Sequence, residues 1–368
     1  MIEMKVKVIE NGTVYENQEP FGYSAWPTCT LLKDGSIAVV FSGNRLWHVC
    51  PFGRVYLTVS KDGAKTWTKP KTVINTVLDD RDGGICVFGK NRDKIFVSSF
   101  TNTPELQTCL IKDMKQELSA VNDSYYEYLF SKYDKNEICD KYLGGTHVIS
   151  YDNGETFEDF GILPIHAPHG PCVGVNGELI FVGKSLQDKS KYGEFGALDK
   201  GFYMLTSADG KKWEIKSKVV DGEIPGYACM SEAHPIVLKS GRILVQIRYN
   251  GKDKHGIYQT YSDDGGKTFG ELKFVIEKGF PPHLTLLKNG DLLSTYGYRF
   301  DDMGLRARIS KDEGETWSEE IIIKDDAKNA DLGYPTTVEL NDGTFLTVYY
   351  MIREGMKNAG IYYIKWKM

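Results

Sequence analysis

The stretch Ser262–Phe269, SDDGGKTF, decides the fold, because it returns at Ser150–Phe157 (SYDNGETF) and at Ser310–Trp317 (SKDEGETW). Two further copies are imperfect. Ser60–Trp67 (SKDGAKTW) carries Ala64 where the others have glycine, and Ser207–Trp213 (SADGKKW) is one residue short. In each copy Asp and Gly supply a tight turn, Ser and Thr hydroxyls bond the turn backbone, and the terminal aromatic ring tucks beneath it. The motif therefore shapes the corner of a repeated β-unit and is structural.

A second repeat interleaves with the first: a polar or aromatic residue, usually a proline, an apolar strand, a turn glycine, and another apolar strand. It occurs from Ala25 (AWPTCTLLKDGSIAVVFSG), Asp79 (DDRDGGICVFGKNRDKIFVSSF), Ala167 (APHGPCVGVNGELIFVGKS), Glu232 (EAHPIVLKSGRILVQIRY), Pro281 (PPHLTLLKNGDLLSTYGYR) and Leu332 (LGYPTTVELNDGTFLTVYY). Near-continuous apolar runs of this kind belong to inner strands covered on both faces. A hairpin plus its turn motif makes a four-stranded blade. Five copies carry the motif, while the sixth ends in Gly360–Met368, one strand short. The amino-terminal segment Met4–Glu10 can supply that strand, and closure of a ring removes its exposed edges. The expected fold is all-β, a single six-bladed β-propeller over residues 1–368. One segment breaks the period: residues 102–143, inside the second blade, show helical apolar spacing at Leu106, Leu110, Met114 and Leu118. It reads as an inserted helical excursion that either builds a binding wall or packs on the blade edge.

Composition narrows the function. With 45 basic against 50 acidic residues and a net charge of −5, the chain has no basic stripe to neutralise phosphates, so no nucleic-acid partner is expected. No 18-residue apolar run occurs, so no membrane span is expected. The amino terminus lacks the unbroken apolar run of a signal peptide. The seven cysteines (Cys29, Cys50, Cys86, Cys109, Cys139, Cys172, Cys229) show no CxxC spacing. They read as reduced thiols of a cytoplasmic protein, mostly core fillers.

Six such hairpins with repeated Asp-turns, closed by a terminal strand, resemble the sialidase superfamily, the BNR or Asp-box propellers, over essentially the whole chain. That scaffold hosts sialidases, other glycosidases, uronate lyases, amino-sugar deacetylases and binders. The resemblance implies a neutral Tyr nucleophile assisted by Glu, because a carboxylate nucleophile would be repelled by an acidic sugar, and three arginines that clamp the sugar's carboxylate. Tyr334 in LGYPTTVELNDGTFLTVYY is similar to the family's final-blade Tyr. Glu232 with Arg248 is similar to its Glu-to-Arg hairpin, and Arg299 to its third arginine. The first blade departs: Ala25-Trp26-Pro27 stands where a sialidase has Arg-Ile-Pro. Between Arg45 and the first Asp-turn the acid/base Asp is absent, and His48 is the one substitute expected to titrate near neutrality.

In propellers the start of each inner strand points to the central funnel, which makes Trp26, Arg81 with Asp82, His169, His234, His283 and Tyr334 the expected lining. Two chemistries fit. Tyr334 and Glu232, with His48 or Asp82, could do acid/base work on a glycosidic bond. Arg81, Arg248 and Arg299 would then hold a carboxylate, His169 and His283 would contact the substrate, and Trp26, Trp47 and Tyr298 would stack on a sugar face. Alternatively, His234, His169 and His283 with Asp82 could bind a divalent metal. The favoured reading is a sialidase-like glycosidase acting on a terminal sugar of an oligosaccharide or glycoconjugate, acidic in one version, with no cofactor expected. The alternatives are a metal-dependent amino-sugar deacetylase, a uronate-acting enzyme, and a non-catalytic glycan-binding propeller.

Overall fold

Each apolar hairpin pairs with the strands that follow it, and the computed structural model, which describes residues 6–368, forms six sheets of this kind arranged in a ring. The first joins Tyr23–Leu31, Ile37–Arg45, Arg54–Ser60 and Lys71–Ile74, and the next joins Arg81–Phe88, Lys94–Phe100, Gly145–Ser150 and Glu158–Leu163. In the third sheet the inner strand is split into Ile165–His166 and Cys172–Val173, both paired with Leu179–Ser185. The fourth starts at Met230–Val237, the fifth at Pro282–Leu286 and the sixth at Leu332–Glu339. As expected, the last sheet is closed by the amino-terminal strand, which runs Lys7–Tyr15 and pairs antiparallel with Gly360–Lys367. The strand lies further along the chain than Met4–Glu10, and Met4 and Lys5 fall outside the described residues.

Apolar side chains cement every junction between neighbouring sheets. Val40, Val55 and Leu57 meet Ile85 and Val97; Phe88 and Phe96 meet Leu179; Val182 and Met204 meet Val245 and Ile247. Leu244 meets Leu284, Leu305 meets Tyr362 and Trp366, and Phe41 meets Val348 and Tyr350 across the closure. The ring is thus held by burial at all its seams, each fully buried aliphatic or aromatic side chain contributing about 1.5–3 kcal/mol.

The Asp-turns lie between third and fourth strands and are built as their residue types require. The Ser262 hydroxyl accepts from Gly266 N at 2.9 Å, and Asp264 accepts from Thr268 N at 3.0 Å and from its hydroxyl at 2.7 Å. In the imperfect copy Ala64 takes the same left-handed backbone, φ 77°, and the same bond to Ser60 at 2.9 Å. The glycine is replaceable there at the cost of strain.

The helical excursion consists of α1 (Pro104–Met114), α2 (Ser119–Lys132) and α3 (Lys135–Tyr142), with Gln116–Leu118 as a 3-10 turn between the first two. It enters between Lys94–Phe100 and Gly145–Ser150. This sheet is second in the ring counted from Tyr23 and third counted from the sheet that holds the amino-terminal strand. α2 and α3 pack Tyr126, Leu129 and Ile138 on Leu78. The apolar stripe of α1 does not pack inward as its spacing suggests. The residues it buries are Pro104, Gln107 and Ile111, while Leu106 and Met114 are exposed. All seven cysteines are free; Cys29, Cys50 and Cys86 are buried, and Cys139 and Cys172 are partly buried against core clusters. Among the described residues no helix is long and apolar enough to cross a membrane.

Candidate active site

Four inner strands share an irregularity. The register slips between Ala25 and Thr28, between Arg81 and Gly84, between Ser231 and Ala233, and between Gly333 and Thr336. Inside each slip one non-glycine residue has left-handed backbone: Trp26 (φ 54°), Asp82 (φ 42°), Glu232 (φ 54°) and Tyr334 (φ 49°). A bulge re-aims a side chain out of the alternating pattern, and such backbone costs about 1–3 kcal/mol per residue, which surrounding structure must over-determine. Close packing at the axis supports the Asp82 bulge: a Cβ on Gly84 would come within 2.5 Å of Gly170 N.

The four residues open into one cavity of about 520 Å³, which Trp47, His48, Arg81, Arg248, Arg299 and Asp331 also line. At its floor the Tyr334 hydroxyl donates to Glu232 Oε1, while Arg248 Nη1 donates to Glu232 Oε2 at 2.7 Å. Burial opposes the Glu232 charge, yet Arg248 and the Tyr334 hydrogen bond hold its carboxyl below the usual range. Burial, with Glu232 and Asp82 nearby, pushes the Tyr334 phenol well above its ordinary value. At rest the pair is therefore a neutral phenol on a carboxylate. Arg299 is fixed by Leu332 O at 3.0 and 2.8 Å and by the Tyr350 hydroxyl at 3.3 Å. Arg81 donates to His48 O at 2.8 Å, and its guanidinium carbon sits 4.4 Å above the Trp26 ring. An arginine from the next sheet thus lies on the Trp26 indole beside Ala25. Arg45, by contrast, is fully buried in an ion pair with Asp79 at 2.7 Å and does not reach the cavity.

Two titrating groups need separate treatment. Burial, reinforced by Arg81, Arg45, Arg299 and Arg248, pushes the His48 imidazole down to about 2. It stays neutral, so the expectation that His48 titrates near neutrality is corrected. Burial, with Arg81 opposing and Glu232 assisting, instead raises the Asp82 carboxyl to about 7. Its Oδ1 is buried without a hydrogen-bond partner, and so is Arg248 Nε. A buried acceptor and a buried donor at one cavity, both unmatched, suit a polar ligand that satisfies them.

The remaining expected residues lie elsewhere. His169, His234 and His283 do come together, with ring centroids 5.7, 5.3 and 4.4 Å apart, but His234 stacks on His283, His169 meets both edge-on, and none of the three lines the cavity. His169 meets the Tyr334 ring edge to face at 6.0 Å. Local bonds occupy their Nδ1 atoms: Leu284 N donates to His234 at 3.0 Å, and His169 pairs with the Thr28 hydroxyl at 3.2 Å. Asp82 is not of this group. Among the described residues, no three His, Cys, Asp or Glu side chains converge as metal ligands would, so the set His234, His169, His283 and Asp82 does not fit a resident metal. Tyr298 is also off the cavity, half-buried against Arg306 at 4.6 Å. Sequence reading missed Asp331, which accepts from Tyr23 Oη at 3.1 Å, and the wall residues Val49, Phe100, Asn102, Leu110 and Met114. The α1 spacing signalled Leu110 and Met114 but not the direction they face.

The BNR repeat-like domain family matches residues 128–348. No curated protein sequence matches the chain. Among solved structures it is similar to a protein of unknown function from Dyadobacter fermentans DSM 18053, at 22% identity over 99% of each chain and a TM-score of 0.73. It is also similar to the α-L-arabinanase of Penicillium chrysogenum complexed with arabinobiose, at 14% identity over 98% of each chain and a TM-score of 0.65. The NanB sialidase of Streptococcus pneumoniae is similar at 12% identity, over 97% of this chain and 70% of that one, with a TM-score of 0.62. At these identities the likeness is one of fold.

Proposed function

The chain belongs to the BNR repeat-like family, and from that premise we propose that it is a glycoside hydrolase that releases a terminal acidic sugar with retention of configuration. The observation that carries this reading is the contact chain Tyr334–Glu232–Arg248 sharing one cavity with the buried, unpartnered carboxyl oxygen of Asp82. The Tyr334 oxygen attacks the anomeric carbon as its proton passes to Glu232. Asp82 gives its proton to the glycosidic oxygen, which leaves as an alcohol. The product of this step is a glycosyl-tyrosine. Asp82, now a carboxylate, takes a proton from water as the water oxygen attacks the anomeric carbon, and Glu232 returns its proton to the departing phenolate oxygen. Arg81, Arg248 and Arg299 receive the sugar's carboxylate, which favours a neutral phenol over an anionic nucleophile. Similar folds in an arabinanase and a sialidase support a glycan as the substrate class. A lectin would more naturally present a flat, uncharged aromatic funnel than this concave, three-arginine one.

The test is sugar release from a panel of terminal sialosides and uronides by the wild type and Tyr334→Phe. Wild type is expected to release one class of acidic sugar. Tyr334→Phe should turn over at least about 10⁴-fold more slowly while melting within about 5 °C of the parent. Release undiminished in Tyr334→Phe, or release of neutral sugars only, overturns the proposal.

A further inference from the structure

α1 buries Pro104 and Ile111 but turns further apolar side chains away from the protein. Inward, it buries Gln107, whose Nε2 donates to Asn122 at 3.2 Å and whose Oε1 accepts from Tyr126 Oη at 2.9 Å. Outward, Leu106, Leu110 and Met114 succeed each other at one-turn spacing, and Leu106 and Met114 are 47% and 64% exposed. A helix serving only to cover a blade edge would keep such residues on its inward face. The exposed stripe has a place to act: Leu110 and Met114 line the same cavity as Tyr334, Glu232 and Asp82. Val49, Phe100 and Trp47 line it as well, and the Arg81 guanidinium carbon lies 6.0 Å from the Phe100 ring. The lining thus includes an apolar set, the lip, beside the charged groups of the floor.

We infer that this lip is a binding subsite for an apolar leaving group, so that the substrate is a glycoside of an aromatic or alkyl alcohol and not an extended polysaccharide. The inference rests on the proposed hydrolase reading, which places the sugar on the charged floor. A group departing from the anomeric carbon leaves on the side away from the Tyr334 oxygen. A cavity of about 520 Å³ lies within the range that encloses a drug-sized ligand, enough for one sugar ring and its aglycone. An alkyl or aryl group would bury the apolar surface of Leu110, Met114, Val49 and Phe100, which a sugar's hydroxyls would not.

The experiment separates the lip from the chemistry by using one anionic head with two tails. Hexyl sulfate and methyl sulfate are titrated calorimetrically into wild type, into Leu110→Gln/Met114→Gln, and into Tyr334→Phe. The same proteins are assayed on hexyl and methyl glycosides of the sugar that wild type releases. Wild type and Tyr334→Phe are expected to bind hexyl sulfate at least about tenfold more tightly than methyl sulfate. The double variant should lose that preference, and should lose about tenfold in kcat/KM on the hexyl glycoside with little change on the methyl one. Both altered residues lie on the cavity wall of an otherwise intact helix, and a melting curve verifies folding. A tail preference unchanged in the double variant overturns the subsite. Tail preference that depends on Leu110 and Met114, without hydrolysis of any glycoside, upholds the subsite and overturns the hydrolase reading instead.

Discussion

Two groups of titratable side chains sit near the propeller axis, and they differ in backbone more than in chemistry. At the cavity floor, Asp82, Glu232 and Tyr334 each occupy a bulge with φ between 42° and 54°. Beneath them, His234 and His283 lie on inner strands in regular register, paired opposite Gln246 and Thr295, and His169 lies in the gap of a split strand. The regular positions send their rings to each other, even His234 two residues beyond the Glu232 bulge, and burial pushes His234 down to about 3, so that it stays uncharged. The bulged positions send their side chains to the cavity, where Arg248 favours one carboxylate and burial raises the other carboxyl to about 7. Strained backbone therefore marks the axial residues that open into the cavity, and relaxed backbone those that pack among themselves.

The sharpest way to break that contrast is Glu232→Gln. The amide keeps the shape but cannot take the phenol proton, so kcat should fall about 10³–10⁴-fold, with the melting temperature changed far less. A Glu232→Gln enzyme within tenfold of wild type would mean that the bulged group does no proton transfer.

Asp82→Asn tests the protonated member. In the fold its carboxyl titrates at about 7, against 3.8 as the ordinary value, so between those limits the native state holds a proton that the unfolded chain has released. Stability must then fall as pH rises from about 4 to about 7 and stay level above, with a loss on the order of 1–4 kcal/mol. The variant escapes this loss. It is expected to gain stability relative to wild type at pH 8 compared with pH 4, while kcat drops about 10²–10³-fold and the alkaline limb of wild-type kcat/KM near pH 7 disappears. Melting curves at the two pH values and a pH–rate profile check both halves. An Asp82→Asn protein with an unchanged profile removes Asp82 from the chemistry.

The same contrast explains what could be read from sequence. The ring, its six hairpins and its closing strand were legible because Ser-x-Asp-x-Gly turns and paired apolar runs are local chemistry repeated at a period. The axial residues were legible as a set, since the start of each inner strand is recognisable. Which of them face the cavity was not, because Trp26, Asp82, Glu232 and Tyr334 carry no composition cue for left-handed backbone of the kind glycine or asparagine would give. His169, His234 and His283 looked like ligands for that reason. The α1 stripe was visible at Leu106, Leu110 and Met114, but periodicity fixes a face and not what that face meets.

The smallest effect belongs to the histidines, and His234→Phe measures it. The ring keeps its stacking partner His283, 4.4 Å away between centroids, but the acceptor for Leu284 N, now 3.0 Å from Nδ1, is gone. An unpaired buried N–H costs about 1–3 kcal/mol, so the protein should melt lower. Its kcat, measured well below that transition, should stay within about threefold of wild type. A metal centre on His234, His169 and His283 predicts the reverse: activity and bound metal lost together, and wild type inhibited by chelator. Chelator titration of the wild type alongside His234→Phe kinetics decides between them. A variant that folds but is dead would move the histidines to the reactive side of the axis and remove the backbone criterion that separates the two groups.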